Sequence, residues 1–166
     1  MASSHYSKAQ NISELNFNCA AWATHIMKMC NKRRRNWFPI LCYRGMSGIA
    51  SATAVAMQMH LKDPEFAFGM VYVRKEDEDS HGSDLEMNGI EDVPEGKRRV
   101  LVFVDDFICG GTTRRHCMHA ITKMMDTDSD WFKSKYAMII GLKPVGRDSK
   151  LKFVLVVLTN NCPRED

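Results

Sequence analysis

Two adjacent carboxylates, Asp105 and Asp106, are followed by Phe107-Ile108 and then by Cys109-Gly110-Gly111-Thr112-Thr113. Adjacent carboxylates are strong acceptors, suited to a pair of hydroxyls or to a divalent cation with a taste for oxygen. Glycines let backbone N–H groups approach an anion closely, and threonine hydroxyls add donors. A helix starting after such a loop contributes a partial positive charge at its N-terminus. The segment therefore offers a phosphate cradle beside paired acceptors.

The elements that position these groups can be read around them. Val100 to Val104 is an unbroken apolar run, as in a strand buried on both faces of a parallel sheet. Thr112 to Met125 has helical spacing, with Cys117, Ala120, Ile121 and Met124 on its inner side. Ligands of open α/β sheets bind at the carboxyl ends of strands, where the two aspartates fall. A second strand, Trp37 to Tyr43, with Pro39 near its start, runs into Arg44-Gly45-Met46-Ser47-Gly48 and a helix over Ile49 to Leu61. That is a second site where an anion would meet a helix start. Phe66 to Val73 is a further strand. It opens onto Arg74-Lys75-Glu76-Asp77-Glu78-Asp79-Ser80-His81-Gly82, and the chain stays polar to Gly96. A long stretch without a helix pattern reads as a lid or loop. Tyr136 to Leu142 and Phe153 to Leu158 are two more buried strands, joined through Lys143 to Lys150 as a hairpin or a long connection. Ahead of all these, Asn11 or Ser13 caps a helix to about Cys30, whose residues Ile12, Leu15, Cys19, Trp22, Ala23, Ile26 and Met27 share one stripe. The expected fold is α/β: an open, mainly parallel sheet of about five strands flanked by helices.

The run V-F-V-D-D-F-I-C-G-G-T-T resembles the phosphoribosyl pyrophosphate (PRPP) signature of the type I phosphoribosyltransferases. The resemblance implies a role for each matching residue. Asp105 and Asp106 hold the ribose 2- and 3-hydroxyls, directly or through Mg²⁺, and Cys109, Gly110, Gly111, Thr112 and Thr113 wrap the 5-phosphate. It places the pyrophosphate-binding loop, which often includes a cis peptide, at Tyr43 to Gly48, with Arg44 and Gly45 as PRPP-binding residues. V-R-K-E…S-H-G resembles the mobile catalytic loop of the orotate-type enzymes, which assigns catalytic parts to Arg74, Lys75 and His81. The acidic run Glu76 to Asp79 complicates that role, because it repels a diphosphate unless it faces solvent or Mg²⁺. The resemblance covers about residues 37–158. The family's base-binding hood would come from Asn11 to Trp37 or from Val145 to Pro163.

The implied activity is transfer of 5-phosphoribosyl from PRPP to a nitrogenous base, with release of pyrophosphate and dependence on Mg²⁺. In enzymes of the family that salvage 6-oxopurines, the third residue after the acidic pair is usually an aspartate. Here it is Cys109, which departs from that pattern and argues against a hypoxanthine/guanine-type enzyme, while the lid loop makes an orotate-like acceptor the first expectation and another nucleobase the second. A lysine after a late strand meets a base carbonyl in those enzymes, and Lys143 has the matching position. The alternative is a non-catalytic PRPP- or nucleotide-binding regulator of the same fold.

Composition narrows the rest. With 166 residues, one domain over 1–166 is expected. A net charge of +3 is too mild to argue for nucleic acid, and Lys32 to Arg35 reads as a solvated helix end. The six cysteines contain no C-x-x-C pair, which fits reduced thiols in a cytoplasmic protein. The polar first ten residues do not read as a signal peptide, and no apolar run reaches membrane-spanning length. G-x-x-x-x-G-K-[ST] and G-x-G-x-x-G are both absent, which removes the common nucleotide-loop alternatives. PRPP and a nucleobase are the expected partners, with a homodimer implied by the resemblance.

Overall fold

The structure is a computed structural model that describes residues 12–31, 36–75, 85–89, 93–107, 112–125, 136–145 and 150–159. In chain order the elements are α1 (Ile12–Cys30), β1 (Trp37–Arg44), α2 (Gly45–Lys62), β2 (Gly69–Val73), β3 (Leu85–Asn88), β4 (Arg98–Phe107), α3 (Thr112–Met125), β5 (Tyr136–Val145) and β6 (Lys150–Thr159). The strands form one sheet in the order β3-β2-β1-β4-β5-β6. The inner four run parallel; β3 and β6 pair antiparallel at the two edges.

The alternation of each inner strand divides the core into two layers. Trp37, Leu41, Val100, Val102 and Val104 pack against α1 and α2 through Cys19, Trp22, Ala23, Ile26, Val55 and Met59. Phe38, Ile40, Cys42, Val71, Val73, Leu101 and Phe103 point the other way, onto Cys117 and Ile121 of α3. Both faces of the inner strands are thus apolar, which is why their sequences read as continuous hydrophobic runs. Pro39 is tolerated in a central strand because pairing with β2 begins only at Ile40. No helix of the described residues is long and apolar enough to cross a membrane.

The structure differs from the expectations at several points. The sheet has six strands, not about five. The extra one, β3, is L-E-M-N, four residues whose alternation is too brief to stand out within a polar stretch. The helix after β1 begins at Gly45, not Ile49, because Arg44 is extended (φ −147°, ψ 140°) and Gly45 turns the chain at once with φ +69°. That value lies in the left-handed region open to glycine. The resemblance implied that a cis peptide often occurs in this turn, but all peptide bonds among the described residues are trans. The described parts of the two candidate hood segments, α1 and β6, both join the core. The buried stripe of α1 lies in the helical layer, and β6 pairs along the whole of β5. Lys143 likewise falls within β5, level with Lys152, and not after the strand.

Trp22 is among the largest fully buried side chains, whereas Phe17 on the same helix is 76% exposed. Trp22→Ala is expected to lower unfolding free energy by about 3–5 kcal/mol, and Phe17→Ser to change it by less than about 0.5 kcal/mol, both read from urea titrations. Burial also pushes the Cys19 thiol from 9.0 up to about 12. The folded state holds this proton more tightly than the unfolded chain. Its contribution to stability is therefore complete below the unfolded value and is lost as pH rises from 9.0 towards about 12. Melting temperatures measured across that window should fall less steeply for Cys19→Ala than for the wild type.

Candidate active site

The strand order reverses between β1 and β4. From β1 the chain moves outward to β2 and β3, then returns to β4 on the other side of β1. A crevice opens at the carboxyl ends of strands at such a reversal, because the following helices leave on opposite faces. Here α2 leaves β1 on one face and α3 follows β4 on the other. Arg44 and Gly45 form one lip of the crevice and Asp105 with Asp106 the other.

The two aspartates sit at an irregularity. Val104 pairs with Ile140 and Phe107 with Leu142, so β4 spends one residue more than β5 over this interval. A bulge of this kind breaks the alternation of the strand and re-aims the side chains within it. Asp105 is half-buried. Two carboxylates on a bulge suit Mg²⁺, which takes oxygen ligands and completes its shell with waters and ligand phosphates instead of an all-protein cage. Among the described residues no group of three or more His, Cys, Asp or Glu could enclose a metal by itself. Asp106 and Thr112 are described through the backbone only, as parts of β4 and of the start of α3.

On the opposite lip, Arg44 is level with Val73 of β2, so Arg74 and Lys75 leave the sheet beside it. Lys75 reaches onto the start of α2. A Cβ built on Gly45 would lie 2.8 Å from Lys75 Cε and 3.2 Å from its Nζ. Glycine at 45 therefore provides both the turn and the room for the lysine. Gly48, one helical turn on, brings α2 close to Tyr43, with 3.4 Å between an added Cβ and the tyrosine Cβ.

Arg74 goes elsewhere. It forms an ion pair with Glu86 of β3, and its guanidinium Nε is buried. Tyr72 is level with Glu86 across the hairpin, and its ring centroid is 5.5 Å from that of Tyr43 at an angle of 35°. Burial raises the Tyr43 phenol above its ordinary value, and the Glu86 carboxylate adds to the rise. Arg74, Tyr72 and Glu86 thus belong to the flank of the sheet, while Lys75 belongs to the crevice.

Cys117 of α3 reports the charges across the crevice. Burial pushes its thiol up to about 12; the Arg44 guanidinium pulls it down and the Asp105 carboxylate pushes it up. Arg44 and Asp105 therefore both act on one buried sulfur, from adjacent strands. Arg114, one turn before Cys117, was not anticipated from sequence. It lies half-buried on the stripe Arg114, Cys117, Ile121 that faces the sheet, where the helix period alone would have flagged a charged residue on an apolar side. Thr113 is half-buried in the same first turn. Of the other expected site residues, His81, Cys109, Gly110 and Gly111 lie outside the described residues.

No family model and no curated protein matches the chain. Among solved structures, the chain is similar to an orotate phosphoribosyltransferase of Francisella tularensis, with a TM-score of 0.47 and 15% identity over 86% of this chain. The chain spans 59% of that enzyme's length.

The contact between Gly45 and Lys75 can be separated from the turn itself. Gly45→Ala is expected to cost about 1–2 kcal/mol. In a Lys75→Ala background the cost should shrink, leaving the left-handed backbone as its only source; a double-mutant cycle in urea reads the difference.

Proposed function

We propose that the chain is a phosphoribosyltransferase that moves the 5-phosphoribosyl group of PRPP to a nitrogenous base and releases pyrophosphate. The observation that carries this reading is the bulge at Asp105-Asp106 at the β1/β4 reversal, on the strand next to the one that ends in Arg44 and leads into the Gly45–Lys75 contact. An acidic pair for sugar hydroxyls and a cationic helix start for a diphosphate are the two halves that such a substrate requires.

The reaction exchanges a C1–O bond for a C1–N bond through a transition state with cationic character on the sugar and growing charge on the departing diphosphate. No covalent link to the protein is required; orientation and charge stabilisation supply the catalysis. Asp105 and Asp106 would hold Mg²⁺, which when bound supplies positive charge beside the diphosphate and the ribose hydroxyls. The carboxylates also orient the ribose hydroxyls and stabilise the cationic sugar by their charge. Lys75 brings a cation to the start of α2, where the leaving group's charge would grow, and Arg44 adds a positive charge from the α3 side of the crevice. The 5-phosphate is assigned to Cys109 to Thr113 on the strength of the sequence signature. Arg74, paired with Glu86, would have to release that carboxylate before it could join the site.

Pyrophosphate release from PRPP and Mg²⁺, measured with orotate, uracil, adenine, guanine, hypoxanthine, xanthine and nicotinate in turn, tests the proposal and names the acceptor. Release is expected with one base or a narrow set. Asp105→Asn combined with Asp106→Asn should abolish turnover with no loss of melting temperature, because residues at a strand's carboxyl end serve the ligand and not the core. Full activity in the double variant would remove these residues from the site.

A further inference from the structure

The backbone pairing of the sheet stops short of Lys75. The ladder of β2 ends at Val73, two residues earlier, and a lysine carries its charge on a flexible four-carbon stem. Arg74 stands between the ladder and the lysine. It forms an ion pair with Glu86 of β3, and its side chain is 16% exposed against 57% for Glu86. The guanidinium Nε is buried. The chain that carries Lys75 away from β2 is therefore tied to the neighbouring strand by a side chain, at the residue just before the lysine.

Glu86 is itself well placed. It lies opposite Tyr72 in the antiparallel pairing of β2 with β3, and the Tyr72 ring rests against that of Tyr43 on β1. The Glu86 charge reaches the Tyr43 phenol. Arg74 follows Tyr72 by two residues, so its partner is the diagonal neighbour on β3, a separation that long side chains bridge. Three strands contribute to this row, and Arg74 extends its hold past the last ladder residue. An ion pair with so exposed a partner adds little to global stability. Its effect is local: it fixes residue 74, and with it the direction in which the chain leaves for Lys75.

We propose that Glu86 is a positioning residue of the crevice, holding the exit of β2 through Arg74 so that Lys75 lies over the start of α2. The inference rests on the reading of Lys75 as a cation for the departing diphosphate, and it adds a residue of β3 that the sequence signature does not include. A cation already in place needs no reorganisation as charge grows on the leaving group. One that wanders loses that advantage, and a small misplacement costs rate out of proportion to its size. Arg74 serves here as an anchor, in the position where its ion pair holds it.

The test compares Glu86→Gln, Glu86→Asp, Lys75→Ala, the double variant Glu86→Gln/Lys75→Ala and Glu65→Gln. Each is titrated calorimetrically with inorganic pyrophosphate and Mg²⁺ and assayed for pyrophosphate release from PRPP with each base. Glu65, an exposed carboxylate in the turn after α2, controls for loss of one negative charge. In Glu86→Gln the dissociation constant of pyrophosphate should rise about fivefold or more, and kcat should fall about tenfold, more than KM for PRPP rises. Lys75→Ala should do the same, and the double variant should be no worse than Lys75→Ala alone. Glu86→Asp, which keeps the charge, should recover most of the loss, and Glu65→Gln should stay within about twofold of the wild type. Wild-type values in Glu86→Gln would overturn the inference and leave the transferase reading intact. So would losses that add in the double variant, because Glu86 would then act independently of Lys75. Higher turnover in Glu86→Gln would overturn it as well, by making the carboxylate a restraint on Arg74. Non-additive loss of pyrophosphate affinity without release from any base would uphold the inference and remove the transferase reading. Failure of the wild type to bind pyrophosphate would overturn both.

Discussion

The parallel pairing of β1 with β4 is the constraint on which the rest of the structure depends. Parallel neighbours cannot be joined by a tight turn, so each must be reached through a helix or an excursion. Here the excursion is α2, β2 and β3, and the return places two strands of distant sequence side by side with their carboxyl ends level. The alternation along both strands then fixes everything nearby. Even-numbered residues of β1 and, up to Phe103, odd-numbered residues of β4 face α3, and Arg44 and Asp105 at the ends of these strands both act on Cys117.

Backbone geometry positions the charged residues at this edge. Gly45 turns the chain into α2 without an intervening loop, so Arg44 immediately precedes the helix and the cation of Lys75 lies over its start. The bulge at Asp105 and Asp106 interrupts a ladder that is otherwise regular from Leu101 to Val104. Both devices occur where a strand ends. They place polar groups at the rim without cost to the core, whose inner strands remain apolar on both faces.

Much of this was legible in the sequence. β1, β4, α1 and α3 were readable from hydrophobic runs and helical spacing, and the acidic pair and glycine–threonine loop were readable as a motif. What was hidden has physical reasons. β3 is too short for a period-two pattern to show. The early start of α2 depends on a left-handed glycine, whose conformation no composition reveals. Arg74 and Lys75 are adjacent in sequence and were given one role, yet the strand alternation sends Arg74 to Glu86 and lets Lys75 reach Gly45. Arg114 was overlooked because the helix was read for its apolar positions, and a cation on the inner stripe was not weighed against them.

The pairing of Trp37 with Arg98 joins residues 61 positions apart in the chain, whereas β5 and β6 meet through a short connection. Contacts across so long a separation close late, since the loop entropy must be overcome before they add stability. The hairpins and the antiparallel contact of α1 with α2 are local by comparison. The crevice is therefore made by the slowest-forming part of the fold. A chain that has only its local structure has neither lip of the site in place, so binding competence appears together with the completed sheet and not before it.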